Sequence, residues 1–151
     1  MLLFFGKCDR SCFLFFSPHR IAENTFFFQS DHALIFRKYL LDNGKSVQLK
    51  GIDQPDKTFS SYLGPLEAAL EHEKYVTSLI NDIYGAAHDV KDYRTMKFLD
   101  WFIEEQLEEE TNAEDMITKM KLFGTDAKAL YDLDQEYAAR AYSVPTPLAN
   151  A

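Results

Sequence analysis

The chain has 151 residues, enough for one domain whose core hides roughly two-thirds of the surface exposed by its unfolded form. A formal net charge of −8 argues against a nucleic-acid partner, which a basic patch would attract, and suits either plain solubility or the handling of cations. There is no apolar run of about 18 residues to span a membrane, and no G-x-S-x-G, G-x-x-x-x-G-K or G-x-G-x-x-G to hold a nucleophile or a nucleotide.

Residues 1–28 differ from the rest. They carry 8 of the 13 phenylalanines, with Phe26-Phe27-Phe28 in a row, and both cysteines. Neither a helical period nor a strand alternation runs through them. Cys8 and Cys12 lack a second ligand pair downstream, so neither a zinc site nor a disulfide framework is expected. A reducing, cytoplasmic setting follows as the default. Lys7, Asp9 and Arg10 interrupt the apolar patches, which leaves no continuous signal-peptide core. The segment is either a contact for a membrane or partner, or a stretch foreign to the domain that follows; the second reading is preferred.

From residue 29 helical periodicity is clear. The first helix is expected over 29–43 and stops at Asn43-Gly44. Residues 44–60 are polar and irregular, with Gly51 and Pro55. The second helix is expected over 61–89, with Leu63, Leu66, Leu70, Val76, Ile80, Ile83 and Ala87 on one face. A short connection follows, in which Asp92 is placed to cap the third helix, 93–122. Phe123-Gly124-Thr125 ends that helix. Asp126 caps a short fourth helix reaching about residue 141, and the tail 143–151 is expected to be mobile. A loop as long as 44–60 is unusual in a compact domain. It can carry the chain back along a bundle to start a parallel helix, as the long crossover of a four-helix bundle does.

The third helix has the pattern that carries chemistry. Its stripe runs Leu99, Phe102, Ile103, Gln106, Glu109, Ala113, Met116, Ile117, Met120, in steps of three and four. Gln106 and Glu109 interrupt it on the face that should be buried, where a carboxylate is costly unless paired or bound to a metal. Glu105 and Glu108 flank them. Glu73 lies within the stripe of the second helix, and His32 lies on the face of the first helix with Ile35 and Tyr39. Three helices thus each offer an oxygen or nitrogen ligand to a shared interior. Imidazole with carboxylates suits iron, and less specifically manganese or zinc. Each residue also has an ordinary reading: His32 as a satisfied core histidine, Glu73 at the stripe's edge reaching water, and 104–110 as a solvated acidic face. The last is the weakest, because seven consecutive residues span nearly two turns and touch every face. His72 and His88 are expected to be exposed.

These residues resemble the bacterial non-haem ferritins. The resemblance covers 29–142 and is carried by His32-Ala33-Leu34, by 39–44 (Tyr-Leu-Leu-Asp-Asn-Gly), by Glu71-His72-Glu73-Lys74, by 98–110 and by 130–134. The stretch W-F-x-x-E-Q-x-E-E-E at 101–110 is its most specific part. It implies an all-α, ferritin-like four-helix bundle with a long crossover loop and a short C-terminal helix, the latter lining a fourfold axis. It implies a ferroxidase and iron-storage subunit that oxidises Fe(II) and deposits a hydrous ferric oxide inside a shell of 24 subunits. By position, His32 would serve a first iron. Glu73, Gln106 and Glu109 would serve a second, and Glu105 and Glu108 a third site nearby.

Two departures stand out. The family carries Glu-x-x-His on the helix of His32, and here position 29 is Gln. Asp31 is adjacent to His32 and so lies about 100° around the helix from it. The family's first helix should supply another glutamate, and residues 1–28 hold only Glu23, in an unrelated setting. The first helix reads as missing or replaced, with the first iron site damaged and most second-site ligands kept. The rival reading is a non-catalytic structural subunit or truncated relic. A peroxide-reducing di-iron bundle of the rubrerythrin type is a further rival, but the rubredoxin domain common there needs four cysteines.

Overall fold

The computed structural model describes residues 21–49, 58–139 and 143–149, with side chains in the first stretch from residue 30 onward. All its regular elements are helices: α1 (Ile21–Asp42), α2 (Leu63–Asp89), α3 (Tyr93–Phe123), α4 (Ala127–Ala138) and α5 (Thr146–Ala149). No strand occurs among the described residues. The chain divides into two compact units, Phe59–Gly124 and the combination of Met1–Thr58 with Thr125–Ala151. The reading of residues 1–28 as foreign falls largely outside the described residues, as does much of the proposed crossover loop.

The first unit is the helical hairpin α2–α3. Ser61 Oγ accepts from Gly64 N at 3.4 Å and opens α2, and Pro65 is buried in the first turn, where its missing donor costs nothing. At the hairpin bend, Asp92 N donates to Ala87 O and Lys91 N to His88 O. Lys91 takes the left-handed conformation there, with φ 57°. Asp92 then caps α3, accepting from Thr95 N at 3.0 Å. So short a connection makes the helices antiparallel. Their cross-pairs confirm it: Glu67 with Lys121, Lys74 with Glu114, Thr77 with Glu110 and Tyr84 with Asp100.

The core of this unit comprises Leu66, Ile80 and Ala87 on α2 with Leu99, Phe102, Ala113, Ile117 and Met120 on α3, all buried. Phe102 anchors it, edge-on to Phe98 at 5.3 Å and to Trp101 at 4.9 Å between centroids. Leu70, Ile83 and Met116 are half-buried. Ile103 departs from expectation: it is 41% exposed, so the stripe is narrower than its spacing suggests.

The second unit comprises α1, α4 and α5, with α5 lying against α1. The helix expected from residue 29 starts instead at Ile21. Three consecutive phenylalanines leave no period to read in the sequence, yet the i→i−4 ladder requires none. α1 stops where expected. Gly44 has φ 68°, Gly44 N donates to Leu41 O and Lys45 N to Leu40 O, the paired bonds of a Schellman end. Asp126 caps α4, accepting from Ala129 N at 2.7 Å. The tail expected to be mobile contains a turn of helix, in which Leu148 N and Ala149 N both donate to Pro145 O.

Candidate metal centre

Glu73 on α2 and Gln106 on α3 face each other inside the hairpin, 6% and 1% exposed. Gln106 Nε2 donates to the Glu73 main-chain oxygen at 3.2 Å, to Glu73 Oε2 at 3.4 Å and to Thr77 Oγ1 at 3.3 Å. Gln106 Oε1 is buried with no hydrogen-bond partner. One turn further along α3, Glu109 shares a side-chain hydrogen bond with Glu73, and its Oε2 is closed off from solvent. Burial, then the charge of Glu73 and the bond to it, then Glu105 and Glu108, push the Glu109 carboxyl up to about 9. Without a cation, Glu109 therefore keeps its proton at neutral pH. A divalent ion would displace that proton and take both carboxylates.

The sequence-derived set separates into parts. Glu73, Gln106 and Glu109 come together. Glu105 is half-buried beside them, its carboxyl held above the usual range by partial burial and then by the charges of Glu108 and Glu104. Glu108 and Glu104 are exposed. His32 lies on α1, in the other unit, and is 5% exposed. Burial lowers its ring to about 4, which keeps the imidazole neutral, the form that binds metals. Asp31 beside it is buried too. The side chain at Gln29 lies outside the described residues. His72, expected to be exposed, is half-buried, and His88 is exposed as expected.

Among the described residues, no group of three or more His, Cys, Asp or Glu side chains gathers closely enough to hold a metal ion. What the hairpin gathers is two carboxylates and an amide. The donor chemistry nevertheless fits a hard divalent cation, because two carboxyls share a hydrogen bond there beside a buried amide whose oxygen has no partner.

Two contributors escape the sequence reading. Thr77 accepts from Gln106 and donates to Glu110 Oε1 at 2.5 Å. Its spacing of four from Glu73 placed it on the same face, the one signal that pointed to it. Glu110 is hidden among the acidic residues of its run. Thr77, Ile80, Asn81, Ile103, Leu107 and Glu110 surround Gln106 and leave a shallow cleft of about 150 Å³.

A helical protein with carboxylates and an amide facing one another inside an antiparallel pair belongs to the class of helical carboxylate bundles. The family described as the ferritin-like domain matches residues 28–123, and the chain belongs to the ferritin family. The bacterial non-heme ferritin of Campylobacter jejuni is 37% identical over 107 residues, 71% of this chain and 64% of that protein. This chain thus spans somewhat under two-thirds of that relative's length. A probable bacterial non-heme ferritin-like protein of Haemophilus influenzae is 35% identical over 85% of this chain and 77% of its own. Among solved structures, a humanized archaeal ferritin superposes with TM-score 0.78 at 32% identity, covering 82% of this chain and 75% of that one. An open pore ferritin from Archaeoglobus fulgidus gives 0.71 at 35% identity, over 73% and 68%. No helix among the described residues is long and apolar enough to cross a membrane.

Proposed function

We propose that the chain is an iron-storage subunit that binds Fe(II) at Glu73, Gln106 and Glu109, oxidises it and passes Fe(III) to a hydrous oxide core. The observation that carries this reading is the hydrogen-bonded Glu73–Glu109 carboxyl pair inside the hairpin, in contact with the buried Gln106 amide. Iron is the substrate here. Binding drives the proton off Glu109, and the two carboxylates then balance the charge of the ion. Oxidation takes one electron from each iron to an oxidant of the dioxygen or peroxide class, and the carboxylates favour the more highly charged product. Glu105 and Glu108, further out on the same helix, would take iron leaving the pair. His32 on α1 is proposed, from the family resemblance alone, as the histidine ligand of a separate first iron. Assembly into a 24-subunit shell in the cytoplasm, expected from the family resemblance, completes the proposal.

A second reading has its own support. Position 29 is Gln, and the described residues gather only two carboxylates. The chain would then be a structural subunit that binds iron weakly and turns it over slowly. Mixing the full chain with Fe(II) anaerobically and then admitting oxygen separates the two. Rapid growth of ferric absorbance, well above the protein-free rate, supports the ferroxidase. A rate equal to the protein-free rate, with Fe(II) still bound, supports the structural subunit.

A further inference from the structure

α1 runs out into Asn43-Gly44, and no other asparagine in the chain precedes a glycine. Such a pair carries its own chemistry. The glycine nitrogen can attack the asparagine side-chain carbonyl carbon, and glycine has no Cβ to hinder the approach. A bond forms between Gly44 N and Asn43 Cγ, and the Cγ–Nδ2 bond breaks. The Gly44 amide proton leaves with Nδ2 as ammonia. Water then opens the cyclic imide at either carbonyl, leaving an aspartate or its isoaspartyl isomer. Nothing is oxidised, and water is the only co-reactant.

The fold engages both reacting groups elsewhere. Asn43 Nδ2 donates to the Tyr39 main-chain oxygen at 2.8 Å, one turn back along α1. Asn43 N donates to the same oxygen at 3.1 Å, so both of its lone pairs are used. Gly44 N, the nucleophile, donates to Leu41 O at 2.9 Å, and Lys45 N donates to Leu40 O at 2.9 Å. The left-handed backbone of Gly44, φ 68°, makes this closure possible. A nitrogen whose proton is held by a carbonyl is a poor nucleophile, and a side chain tied one turn back is kept from the residue that follows.

We propose that Asn43-Gly44 is a deamidation site gated by the last turn of α1: the closed helix end suppresses the reaction, opening releases it, and the product hinders closure. Helix ends open more readily than the interior of a fold. The new carboxylate has no N–H to give Tyr39 O. It also puts negative charge where the helix already carries a partial negative charge. The isoaspartyl product adds an atom to the main chain and spoils the spacing of the Gly44 and Lys45 bonds. α1 thereby records its openings in covalent form, independently of the carboxyl pair on the hairpin.

The test incubates the full chain at mildly alkaline pH, folded and in urea. Peptide mass mapping follows Asn43, and enzymatic methylation counts the isoaspartyl product. In urea Asn43 should react faster than Asn81 or Asn112. In the folded chain it should react about tenfold or more slowly than in urea. Lys45→Pro removes the bond to Leu40 O and keeps the Asn-Gly pair. With its helix content verified, it should speed the folded reaction several-fold and leave the urea rate unchanged. Equal wild-type rates, folded and in urea, overturn the gating without any variant. A folded Lys45→Pro rate no faster than wild type overturns the placing of the gate at this helix end. Hydrogen exchange of the Gly44 and Lys45 amides reads the effect of the product. Asn43→Asp should speed both, and exchange as slow as in wild type overturns the claim that the product hinders closure.

Discussion

Gln106 on α3 reaches across the hairpin and donates to both the main-chain oxygen and the carboxylate of Glu73 on α2. A single side chain thereby ties the two helices together at the level of the carboxyl pair. The bond to the main-chain oxygen fixes the register, and the bond to the carboxylate links that register to the site. Replacing Gln106 with Leu removes the tie and leaves Glu73 with one donor fewer in a buried setting. Loss of a buried partner costs about 1–3 kcal/mol. Chemical denaturation of Gln106→Leu should show a stability loss of about that size, with helix content unchanged in the native baseline.

Metal-free stability should fall from about pH 6.5 upward, whereas between about 4.5 and 6.5 Glu109 and His32 oppose each other. The ordinary value for Glu109 is 4.5, and its folded value is raised to about 9. Its contribution is full below the unfolded value and is lost as pH rises toward the folded one. His32 moves the other way, from 6.5 to about 4. Its contribution is present above the unfolded value and is lost as pH falls through the folded one. Urea midpoints measured across pH should decline toward alkaline pH, and Glu109→Gln should flatten that limb. His32→Asn should leave Glu109 acting alone, so that stability rises as pH falls from about 6.5 to 4.5. A wild-type profile level above about pH 6.5, or a His32→Asn profile level below it, would contradict these assignments.

Lys91 carries the one described non-glycine residue with positive φ, 57°. Left-handed backbone costs a side-chain-bearing residue roughly 1 kcal/mol, which glycine does not pay. Lys91→Gly should therefore raise the thermal midpoint by a few degrees, as glycine favours the left-handed position just past a helix end. A lowered midpoint would show that the bend is not strained.

The hairpin leaves apolar surface open. Leu107 is 72% exposed and Ile103 41%, and both border the cleft beside Gln106. Exposed apolar patches drive association. Light scattering on the full chain should report self-association, and Leu107→Lys should lower the average mass. A clean monomer in the wild type would contradict this.

Much of α3 was legible because its ends are set by local chemistry. Asp92 supplies the cap, Phe123-Gly124 the stop, and the steps between Leu99 and Met120 the buried face. Gly44 and Asp126 were legible for the same reason, each satisfying backbone groups within a few residues. The start of α1 was not, because Phe26–Phe28 erase the period on which the reading depended. The exposure of Ile103 was not legible either, since spacing gives the centre of a stripe and packing decides its width. Of the site, the carboxylates and Gln106 stood out as polar residues on an apolar face. Thr77 did not, because a threonine on a helix acquires its role only from Glu110 and Gln106 on the opposite helix.

The direct measurement is an anaerobic calorimetric titration of Fe(II) into the full chain and two variants, Glu73→Ala and Glu104→Ala, each checked first for helix content. Glu73 is buried in the pair, whereas Glu104 is exposed on the same acidic stretch of α3. Roughly one ion per subunit should bind to the wild type and to Glu104→Ala alike, and Glu73→Ala should lose tenfold or more in affinity, since few ligands remain to compensate. Equal affinity in the two variants would show that the acidic stretch binds iron only as a solvated face, and would contradict a site built on Glu73, Gln106 and Glu109.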